Sequence, residues 1–208
     1  MAKKLTIFGS TGSIGKSTLA LVDVCPNKFE IYALVARTNY SLLAAQALKY
    51  KPTFVGIADS NAAAKLEILL AGSGISVVTG QQACAELASH RVDVVVAGIV
   101  GLAGLPAVIL AAQAGQTIAL ANKESLVSAG NIVTQAARRS GARILPVDSE
   151  HSAIFQCWLG WAAHSESLGA KDNSSEITSG TFSMPSISHI CITASGGPFR
   201  DLKLDKLT

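Results

Sequence analysis

Hydrophobic and polar positions along the first two thirds of the chain alternate between two periods. Short apolar runs are separated by longer stretches in which apolar residues recur every three or four positions, the patterns of buried strands and amphipathic helices. The predicted strands are Lys4–Phe8, Glu30–Ala36, Phe54–Ile57, Ile75–Val78, Val92–Ala97, Thr117–Leu120 and Ile144–Pro146. The predicted helices are Ser13–Val24, Ser41–Tyr50, one after Asp59 or Ser60, one from Gln81, Leu105–Ala114 and a long one to about Arg139 that Gly130 interrupts.

Repeated strand and helix units of this size predict a parallel sheet with helices on both of its faces. We therefore assign residues 1–141 to an α/β fold with a doubly wound, mostly parallel, Rossmann-like sheet. From residue 142 the pattern changes to a polar turn at 148–150, an apolar segment at 153–161 and a Ser-, Gly-, Asn- and Thr-rich region at 165–183. A last strand is predicted at 187–193. Residues 142–208 are expected to be the start of a second α/β domain, truncated at its end.

The composition narrows the class of protein. Hydrophobic residues make up 49% of the 208 residues and aromatic residues only 5%, so the core must consist mainly of Ala, Val, Leu and Ile. The net charge of +3 is mild, and no run of Lys or Arg is long enough to follow a nucleic-acid backbone. The four cysteines form no CxxC pair, so neither a zinc site nor a disulfide framework is expected.

Two apolar segments differ from targeting and membrane-spanning sequences. Gly9 ends the first run, at 5–8, far short of the core of a signal peptide. The run at 92–115 contains Asp93, several glycines and Pro106, which fit a buried strand, a turn and a helix better than a membrane span. We expect a cytoplasmic protein with reduced thiols and no membrane partner.

A glycine-rich loop, GSTGSIG at residues 9–15, lies between the first strand and the first helix. A doubly wound sheet receives a pyrophosphate at this position. Glycine permits close approach of the backbone, and the helix N-terminus supplies free N–H groups and partial positive charge. The spacing GxxGxxG is a variant of the usual GxGxxG, so a turn that serves packing alone is the alternative. The position predicts a dinucleotide site, with hydroxyl donors from Thr11 and Ser13.

The end of the second strand indicates which dinucleotide binds. An NAD site usually places Asp or Glu there, whereas Arg favours a 2′-phosphate. The chain has Ala36, Arg37, Thr38 and Asn39 at this point, with no acid among them. NADPH is therefore favoured over NADH, and a merely solvent-exposed Arg is the alternative.

Two polar clusters follow later strands, at the edge where such sheets place ligands. They are ANKESL at 121–126 and PVDSEH at 146–151. With GSTGSIG at 9–15 and TASGGPF at 193–199, they make the chain resemble the 1-deoxy-D-xylulose 5-phosphate reductoisomerase family over nearly its whole length. The resemblance implies rearrangement of this phosphorylated sugar and reduction of the resulting aldehyde by NADPH. The implied product is 2-C-methyl-D-erythritol 4-phosphate, an isoprenoid precursor, and a divalent cation is implied as cofactor.

The resemblance also implies roles for individual residues. The implied cofactor contacts are Thr11, Gly12, Ser13 and Ile14 on the phosphates, Arg37 and Asn39 at the adenosine end, and Asn122 and Glu124 on the nicotinamide side. The implied catalytic and substrate-binding residues are Lys123, Ser149, Glu150 and Ser195. Residues 1–141 would then bind NADPH, and residues 142–208 would begin the metal- and substrate-binding catalytic domain.

The residue types in the second cluster suit this chemistry on their own. Asp148 and Glu150 are hard oxygen donors for Mg²⁺ or Mn²⁺, and alternate residues at a strand end can point to one side. Lys123 would add positive charge beside developing oxyanions. Two alternatives stay open: Asp148 or Ser149 caps the following helix, or Lys123 is a solvated lysine at a helix start.

The chain departs from the usual pattern of the family in two ways. Arg37 stands where Gly is common and Thr38 where a basic residue is common, so the basic charge is displaced by one position. Members of the family also continue into a segment with a further Glu metal ligand, a flexible lid and a helical domain. We therefore expect these 208 residues to bind NADPH and to catalyse weakly or not at all.

Other functions were weighed against this one. A semialdehyde dehydrogenase of the same architecture is disfavoured, because no cysteine lies at a glycine-rich strand end beside a base. A non-catalytic NADPH-binding module or a split subunit is the main alternative. The predicted strand at 187–193 would leave a sheet edge or an apolar face to cover, which makes a homodimer an additional expectation.

Overall fold

The computed structural model describes the backbone of residues 1–167 and the side chains of residues 1–159. The strands are β1 (Lys3–Phe8), β2 (Phe29–Ala36), β3 (Phe54–Ile57), β4 (Ser76–Thr79), β5 (Val94–Ala97), β6 (Thr117–Leu120) and β7 (Arg143–Pro146). The helices are α1 (Ser13–Val24), α2 (Tyr40–Tyr50), α3 (Ser60–Leu69), α4 (Gln81–Glu86), α5 (Leu105–Gln113), α6 (Glu124–Ser140) and α7 (Ser149–Ser167). Single turns of 3₁₀ helix lie at Leu87–Ser89 and Leu102–Gly104.

The seven strands form one sheet in the order β4-β3-β2-β1-β5-β6-β7, and every pairing is parallel. The chain builds outward from β1 to β4 on one side, then returns to the centre with β5 and builds outward to β7 on the other side. The order therefore reverses between β1 and β5, which is where open α/β sheets bind ligands. The predicted α/β, doubly wound fold is confirmed.

Alternating residues of β1 enter two hydrophobic cores, one on each face of the sheet. Leu5 and Ile7 belong to the core that also holds Leu43 of α2, whereas Phe8 belongs to the core that holds Val108 of α5. Ile7 and Phe8 are almost completely buried. Burying a side chain of this kind contributes about 1.5–3 kcal/mol, so the central strand is fixed from both sides. The position of β1 in turn fixes the loop that follows it.

Two helices on the carboxyl side of the sheet begin at side-chain caps. The Asn39 side-chain oxygen accepts a hydrogen bond from the Leu42 amide at 3.1 Å, and the Asp59 carboxylate accepts one from the Ala62 amide at 3.0 Å. Such a cap contributes about 1 kcal/mol. Helices α2 and α3 therefore start at defined residues close to the strand ends.

The long helix α6 is interrupted next to Gly130, as predicted. Ala129 has φ −139° and ψ 27°, outside the helical range. The helix ends at Gly141 in the left-handed conformation, with φ 77°, which a residue without a Cβ adopts at no steric cost.

The structure differs from the predicted organisation around residues 142–150. The strand that was expected to open the second domain pairs with β6 and closes the first sheet, with Leu120 opposite Pro146. The segment 148–150 is not a turn, because α7 begins at Ser149 and continues to Ser167, beyond the predicted start of the polar region at 165. The predicted strand at 187–193 and Ser195 lie outside the described residues. In the part of the chain that is described, no helix is both long and apolar enough to cross a bilayer.

Candidate functional site

Four of the five predicted segments of polar or glycine residues lie at one edge of the sheet, and the fifth, at 193–199, lies outside the described residues. Because every strand is parallel, the segments 9–15, 37–39, 122–124 and 148–150 follow the carboxyl ends of β1, β2, β6 and β7. Neighbouring strands are about 5 Å apart, so the ends of β2 and β6 are separated by roughly 15 Å. The edge thus offers an elongated row of loops with the glycine loop near its centre.

The glycine loop is fastened to both strands that flank β1. The amides of Gly9 and Ser10 both donate to the Val35 carbonyl of β2, at 2.8 and 3.0 Å. On the other side, the Gly98 amide that follows β5 donates to the Phe8 carbonyl at 3.0 Å. The backbone of the loop is therefore positioned by the sheet itself.

The three glycines of the loop serve different purposes. Gly9 has φ 78°, and a Cβ on it would lie 2.7 Å from the Gly98 carbonyl oxygen. A Cβ on Gly15 would collide with the backbone of Gly9 and Ser10. On Gly12 the nearest atom to a Cβ would be the Gly9 oxygen at 3.3 Å, and Gly12 is exposed. Gly9 and Gly15 are thus required by packing, whereas Gly12 is exposed and a Cβ on it would meet only the Gly9 oxygen.

The N-terminus of α1 follows the exposed Gly12 and has no side-chain cap. Gly12 occupies the N-cap position and supplies no side-chain hydrogen bond, and the first turn contains no acidic residue. The first intrahelical bond runs from the Lys16 amide to the Gly12 carbonyl, so the amides before Lys16 have no partner within the helix. The residues predicted to contact the phosphates, which are at least partly exposed, are Thr11, Gly12, Ser13 and Ile14. This arrangement is suited to binding an anion.

Arg37 and Asn39 follow β2, beside the glycine loop. Arg37 is exposed, and no ion pair within the described residues involves it. Its carbonyl accepts a hydrogen bond from the Asp59 amide at 3.0 Å, which fixes the backbone. The side-chain oxygen of Asn39 caps α2, a role that the sequence analysis did not assign to it. Arg37 therefore extends a free cationic side chain from a well-held backbone.

Lys123 and Asp148 are brought together by neighbouring strands. The Val147 amide donates to the Leu120 carbonyl at 2.9 Å, which aligns the segments after β6 and β7. The Lys123 ammonium lies 3.2 Å from the Asp148 carboxylate, with 56% and 18% of the two side chains exposed. The predicted substrate-binding lysine and the predicted metal-binding carboxylate are thus in direct contact.

The charges in this cluster stabilise one another. A hydrogen bond with Glu150, and then the ammonium of Lys123, holds the pKa of Asp148 below its ordinary value. The hydrogen bond to Asp148 raises the pKa of Lys123. The Ser149 hydroxyl donates to the Glu150 carboxylate at 2.8 Å. The cluster is therefore a compact, charged set of oxygen donors with one cation beside it.

The two carboxylates supply only part of a metal-binding site. Asp148 and Glu150 are hard oxygen donors of the kind that Mg²⁺ and Mn²⁺ prefer, and they are close enough for Glu150 to lower the pKa of Asp148. Among the described residues, no group of three or more His, Cys, Asp and Glu side chains could hold a metal ion. A divalent ion here would need further ligands from water, from substrate or from other protein residues.

Asn122 is a buried clamp between two loops. Its side-chain nitrogen donates to the carbonyls of Ile99 and Gly101, at 2.7 and 2.9 Å, and its side-chain oxygen accepts from the Ser125 amide at 3.1 Å. Only 1% of Asn122 is exposed. The two residues predicted on the nicotinamide side thus differ in how available their side chains are. Glu124 is half-buried at the start of α6, whereas the Asn122 amide group is hydrogen-bonded within the protein.

The loop after β5 contributes to the site in a way that the sequence analysis missed. A Cβ on Gly98 would lie 2.9 Å from the Phe8 oxygen and 3.3 Å from Ile14, and a Cβ on Gly104 would clash with Asn122. The glycine spacing in 98–104 was the available signal, but it was interpreted only as an interruption of an apolar run. This loop joins the glycine loop to the clamp at Asn122.

Two family models match the chain. The model of 1-deoxy-D-xylulose 5-phosphate reductoisomerase matches residues 5–130, and the model of the C-terminal domain of the same enzyme matches residues 144–208. Similar proteins include the 1-deoxy-D-xylulose 5-phosphate reductoisomerase of Glaesserella parasuis serovar 5, 48% identical over 95% of this chain and 48% of that protein. The enzyme of Actinobacillus pleuropneumoniae serotype 5b is 45% identical over 98% of this chain and 50% of that protein.

Solved structures show the same similarity. The reductoisomerase from Zymomonas mobilis in complex with NADPH has a TM-score of 0.74 and 43% identity, covering 76% of this chain and 41% of that one. A DOX-P reductoisomerase in complex with NADPH, fosmidomycin and magnesium has a TM-score of 0.72 and 43% identity, covering 74% of this chain and 38% of that one. The chain spans about half the length of the curated relatives it matches. On this sequence and structural similarity, the chain belongs to the 1-deoxy-D-xylulose 5-phosphate reductoisomerase family.

Proposed function

We propose that this chain provides the NADPH-binding part and the beginning of the catalytic part of a reductoisomerase. The reaction is the rearrangement and reduction of 1-deoxy-D-xylulose 5-phosphate to 2-C-methyl-D-erythritol 4-phosphate, for isoprenoid precursor synthesis. One observation carries the proposal: the uncapped N-terminus of α1, which follows the exposed Gly12, lies at the switch point of the sheet. The family membership and a relative solved with NADPH support the same assignment.

The cofactor is proposed to lie along the carboxyl edge of the sheet. Its pyrophosphate is placed against the amides at the start of α1, with Thr11 and Ser13 as hydroxyl donors. Its 2′-phosphate is placed against Arg37, whose guanidinium suits a phosphate and is not paired within the described residues. When bound, NADPH supplies the hydride for the reduction step.

The adenosine and nicotinamide ends complete this assignment. Asn39 is placed beside the adenosine, at the first turn of the helix that it caps. Glu124 is placed on the nicotinamide side, and Asn122 acts there by holding the backbone at Ile99 and Gly101 rather than through a free amide group.

The substrate is proposed to bind at the ends of β6 and β7. Lys123 would place its ammonium beside oxygen atoms of the phosphorylated sugar on which negative charge develops. Ser149 would hydrogen-bond substrate oxygens and, through its contact with Glu150, keep that carboxylate in position. Ser195 is proposed as a further substrate contact on the resemblance of its motif alone.

Asp148 and Glu150 are proposed to hold the divalent cation. Their spacing and oxygen chemistry fit Mg²⁺ or Mn²⁺, although they provide only part of its ligand shell. When bound, such an ion polarises a carbonyl and stabilises negative charge on oxygen. A relative solved with magnesium supports this assignment. The Lys123 ammonium already contacts the Asp148 carboxylate and offsets part of the negative charge of the two carboxylates.

We further propose that the functional division falls near residue 142, with NADPH bound before it and metal and substrate after it. β7 follows residue 142 in the chain but belongs to the same sheet as β6. In the structure, the division therefore lies in the segment that follows β7. The lack of nucleic-acid partners is proposed on the mild charge of the chain, and a cytoplasmic location without membrane partners on its interrupted apolar runs and separate cysteines. A homodimer is proposed on the strand predicted at 187–193, which would leave a sheet edge or an apolar face to cover.

The alternative is a non-catalytic NADPH-binding module or a split subunit. The observation in its favour is that the described residues offer two carboxylates and no larger metal-binding group. In that case the 208 residues bind NADPH but need another polypeptide for turnover.

A turnover assay separates the two functions. The purified chain is supplied with 1-deoxy-D-xylulose 5-phosphate, NADPH and Mg²⁺, and oxidation of NADPH is followed by absorbance. The assay is repeated after addition of the separately expressed second half of a relative such as the G. parasuis enzyme. Substrate-dependent oxidation, alone or restored by the added half, supports the reductoisomerase. NADPH binding without oxidation in either case supports the module.

A further inference from the structure

Helix α2 makes one polar contact with the glycine loop. Gln46 has only 7% of its surface exposed, and its side-chain amide nitrogen donates to the Ser10 carbonyl at 3.0 Å. Ser10 is completely buried. The bond joins residues 36 positions apart, so it links an element that follows β2 to the loop that follows β1.

Gln46 is an unusual residue for its position. The other buried residues of α2 are small or apolar, namely Leu43, Ala44 and Ala47. The side-chain oxygen of Gln46 is buried and has no hydrogen-bond partner among the described residues. A buried polar atom without a partner costs free energy that an apolar side chain of similar size would not. Stability alone therefore does not explain a glutamine here.

The bond from Gln46 completes the fixation of the Ser10 peptide units. The Ser10 amide is already held by the Val35 carbonyl of β2 at 3.0 Å. The Ser10 carbonyl and the Thr11 amide belong to one planar peptide unit. Because Gln46 holds the carbonyl, it also restrains the direction of the Thr11 amide. That unit directly precedes the half-buried Thr11 and the exposed Gly12 and Ser13, and the Gly12 amide in turn donates to the Gly9 carbonyl at 2.9 Å.

We propose that Gln46 is a positioning residue for the pyrophosphate of the dinucleotide. It acts through the Ser10 carbonyl, which sets the direction of the amide groups from Thr11 onward, and it does not touch the ligand itself. This inference rests on the proposed NADPH site and assigns to α2 a second role, because the same helix begins at Asn39 beside the adenosine end. One rigid helix thus sets the geometry at both the adenosine and the pyrophosphate subsites.

The chain contains a matched control for this role. Gln116 is 6% exposed, and its side-chain nitrogen donates to the His90 carbonyl at 2.9 Å. Gln116 precedes β6 and therefore lies at the amino edge of the sheet, opposite the glycine loop. Gln46→Met and Gln116→Met each remove one buried amide that holds a backbone carbonyl, but only the first is near the proposed ligand.

The test compares two ligands on the full chain and both variants, at a temperature where circular dichroism shows all three folded. We expect Gln46→Met to weaken NADPH binding about tenfold, as for loss of well-oriented phosphate donors. Adenosine 2′-monophosphate lacks the pyrophosphate, and its affinity should stay within about twofold of that of the unmodified chain. Gln116→Met should leave both affinities unchanged.

The affinities of the Gln46→Met variant for the two ligands decide whether Gln46 positions the pyrophosphate site. Equal NADPH affinity in Gln46→Met and the unmodified chain would overturn the inference alone, and so would an equal loss for both ligands. Failure of the unmodified chain to bind NADPH would overturn the proposed function and this inference with it. If Gln46→Met does not fold, Gln46→Leu removes the amide donor with a second apolar shape and buries no charge. If that variant also fails to fold, the amide is needed for the fold itself and the positioning role is refuted.

Discussion

The Lys123 ammonium lies 3.2 Å from the Asp148 carboxylate, and this ion pair joins the loops after two neighbouring strands. The contact places a cation on the carboxylate that is proposed to bind a divalent metal. Both side chains reach solvent, so the pair contributes little to stability, as is usual for exposed ion pairs. Its significance is that Lys123 would compete with the proposed metal ion for the same oxygen atoms.

The competition predicts opposite effects of two substitutions on metal affinity. Asp148→Asn removes a charged ligand and should weaken Mn²⁺ binding, whereas Lys123→Ala removes a competing charge and should strengthen it by roughly three- to tenfold. Isothermal titration with Mn²⁺ measures both effects, and Lys28→Ala, at an exposed lysine before β2, is the control. Weaker Mn²⁺ binding in Lys123→Ala would show that Lys123 supports the site instead of competing with the ion.

The glycine loop predicts that two of its glycines respond differently to a side chain. Gly12 has φ −82°, and a Cβ there would lie 3.3 Å from the Gly9 carbonyl oxygen, a tight contact that a small backbone shift relieves, so Gly12→Val should fold with a modest loss of stability but bind NADPH at least tenfold more weakly. Gly15→Ala places a Cβ against buried backbone and should lower the free energy of unfolding by about 1–3 kcal/mol or more. Denaturant melts and fluorescence titrations distinguish the two. Normal NADPH binding by Gly12→Val would contradict the proposed location of the pyrophosphate.

The buried clamp at Asn122 predicts a loss of stability. Asn122→Ala leaves the carbonyls of Ile99 and Gly101 without their donor, and the free energy of unfolding should fall by about 2–4 kcal/mol. Asn131→Ala, an exposed position on α6, should change it by less than about 0.5 kcal/mol. Urea unfolding measures both. Equal stability of the two variants would mean that the loop after β5 is held by other contacts.

Burial of the Cys84 thiol predicts a dependence of stability on alkaline pH. Desolvation raises the pKa of Cys84 from its ordinary value of 9.0 to about 11. The thiol ionises in the unfolded chain before it does so in the native protein, so its contribution to stability is complete below pH 9.0 and is lost as the pH rises towards 11. Denaturant melts should show that unfolding free energy falls more steeply over this range in the unmodified chain than in Cys84→Ala. Cys157→Ala, at an exposed cysteine, should follow the unmodified chain.

Most of the fold could be predicted from the sequence because the strands are short apolar runs bounded by turn residues. The run that ends at Phe8 and the helix that starts at Ser13 were placed within a residue or two of their ends. β7 was predicted as a strand, but its pairing with β6 in the first sheet was not predicted. Periodicity shows that a strand exists but not which neighbour it pairs with, and the pairing of Leu120 with Pro146 is a tertiary contact.

The candidate site could be predicted only in part. Motifs and strand ends pointed to the residues of the two clusters, but whether a polar side chain faces a ligand or the protein depends on packing. The side chains of Asn122 and Asn39 both form hydrogen bonds with backbone groups of the protein. No local sequence pattern distinguishes such an asparagine from one that binds a ligand. Gln46 had no signal at all, since its partner Ser10 is distant in sequence and the contact uses a backbone carbonyl.

The most direct test of the central claim is a fluorescence titration of the full chain with NADPH and with NADH, repeated on Arg37→Ala. Saturable binding that favours NADPH is predicted. Arg37→Ala should lose about ten- to a hundredfold in NADPH affinity while NADH affinity changes little, because only NADPH carries the phosphate that a charged hydrogen bond would hold. Arg91→Ala, at an exposed arginine on the amino edge of the sheet, should bind both cofactors normally. Absence of saturable NADPH binding in a chain shown to be folded would contradict the account.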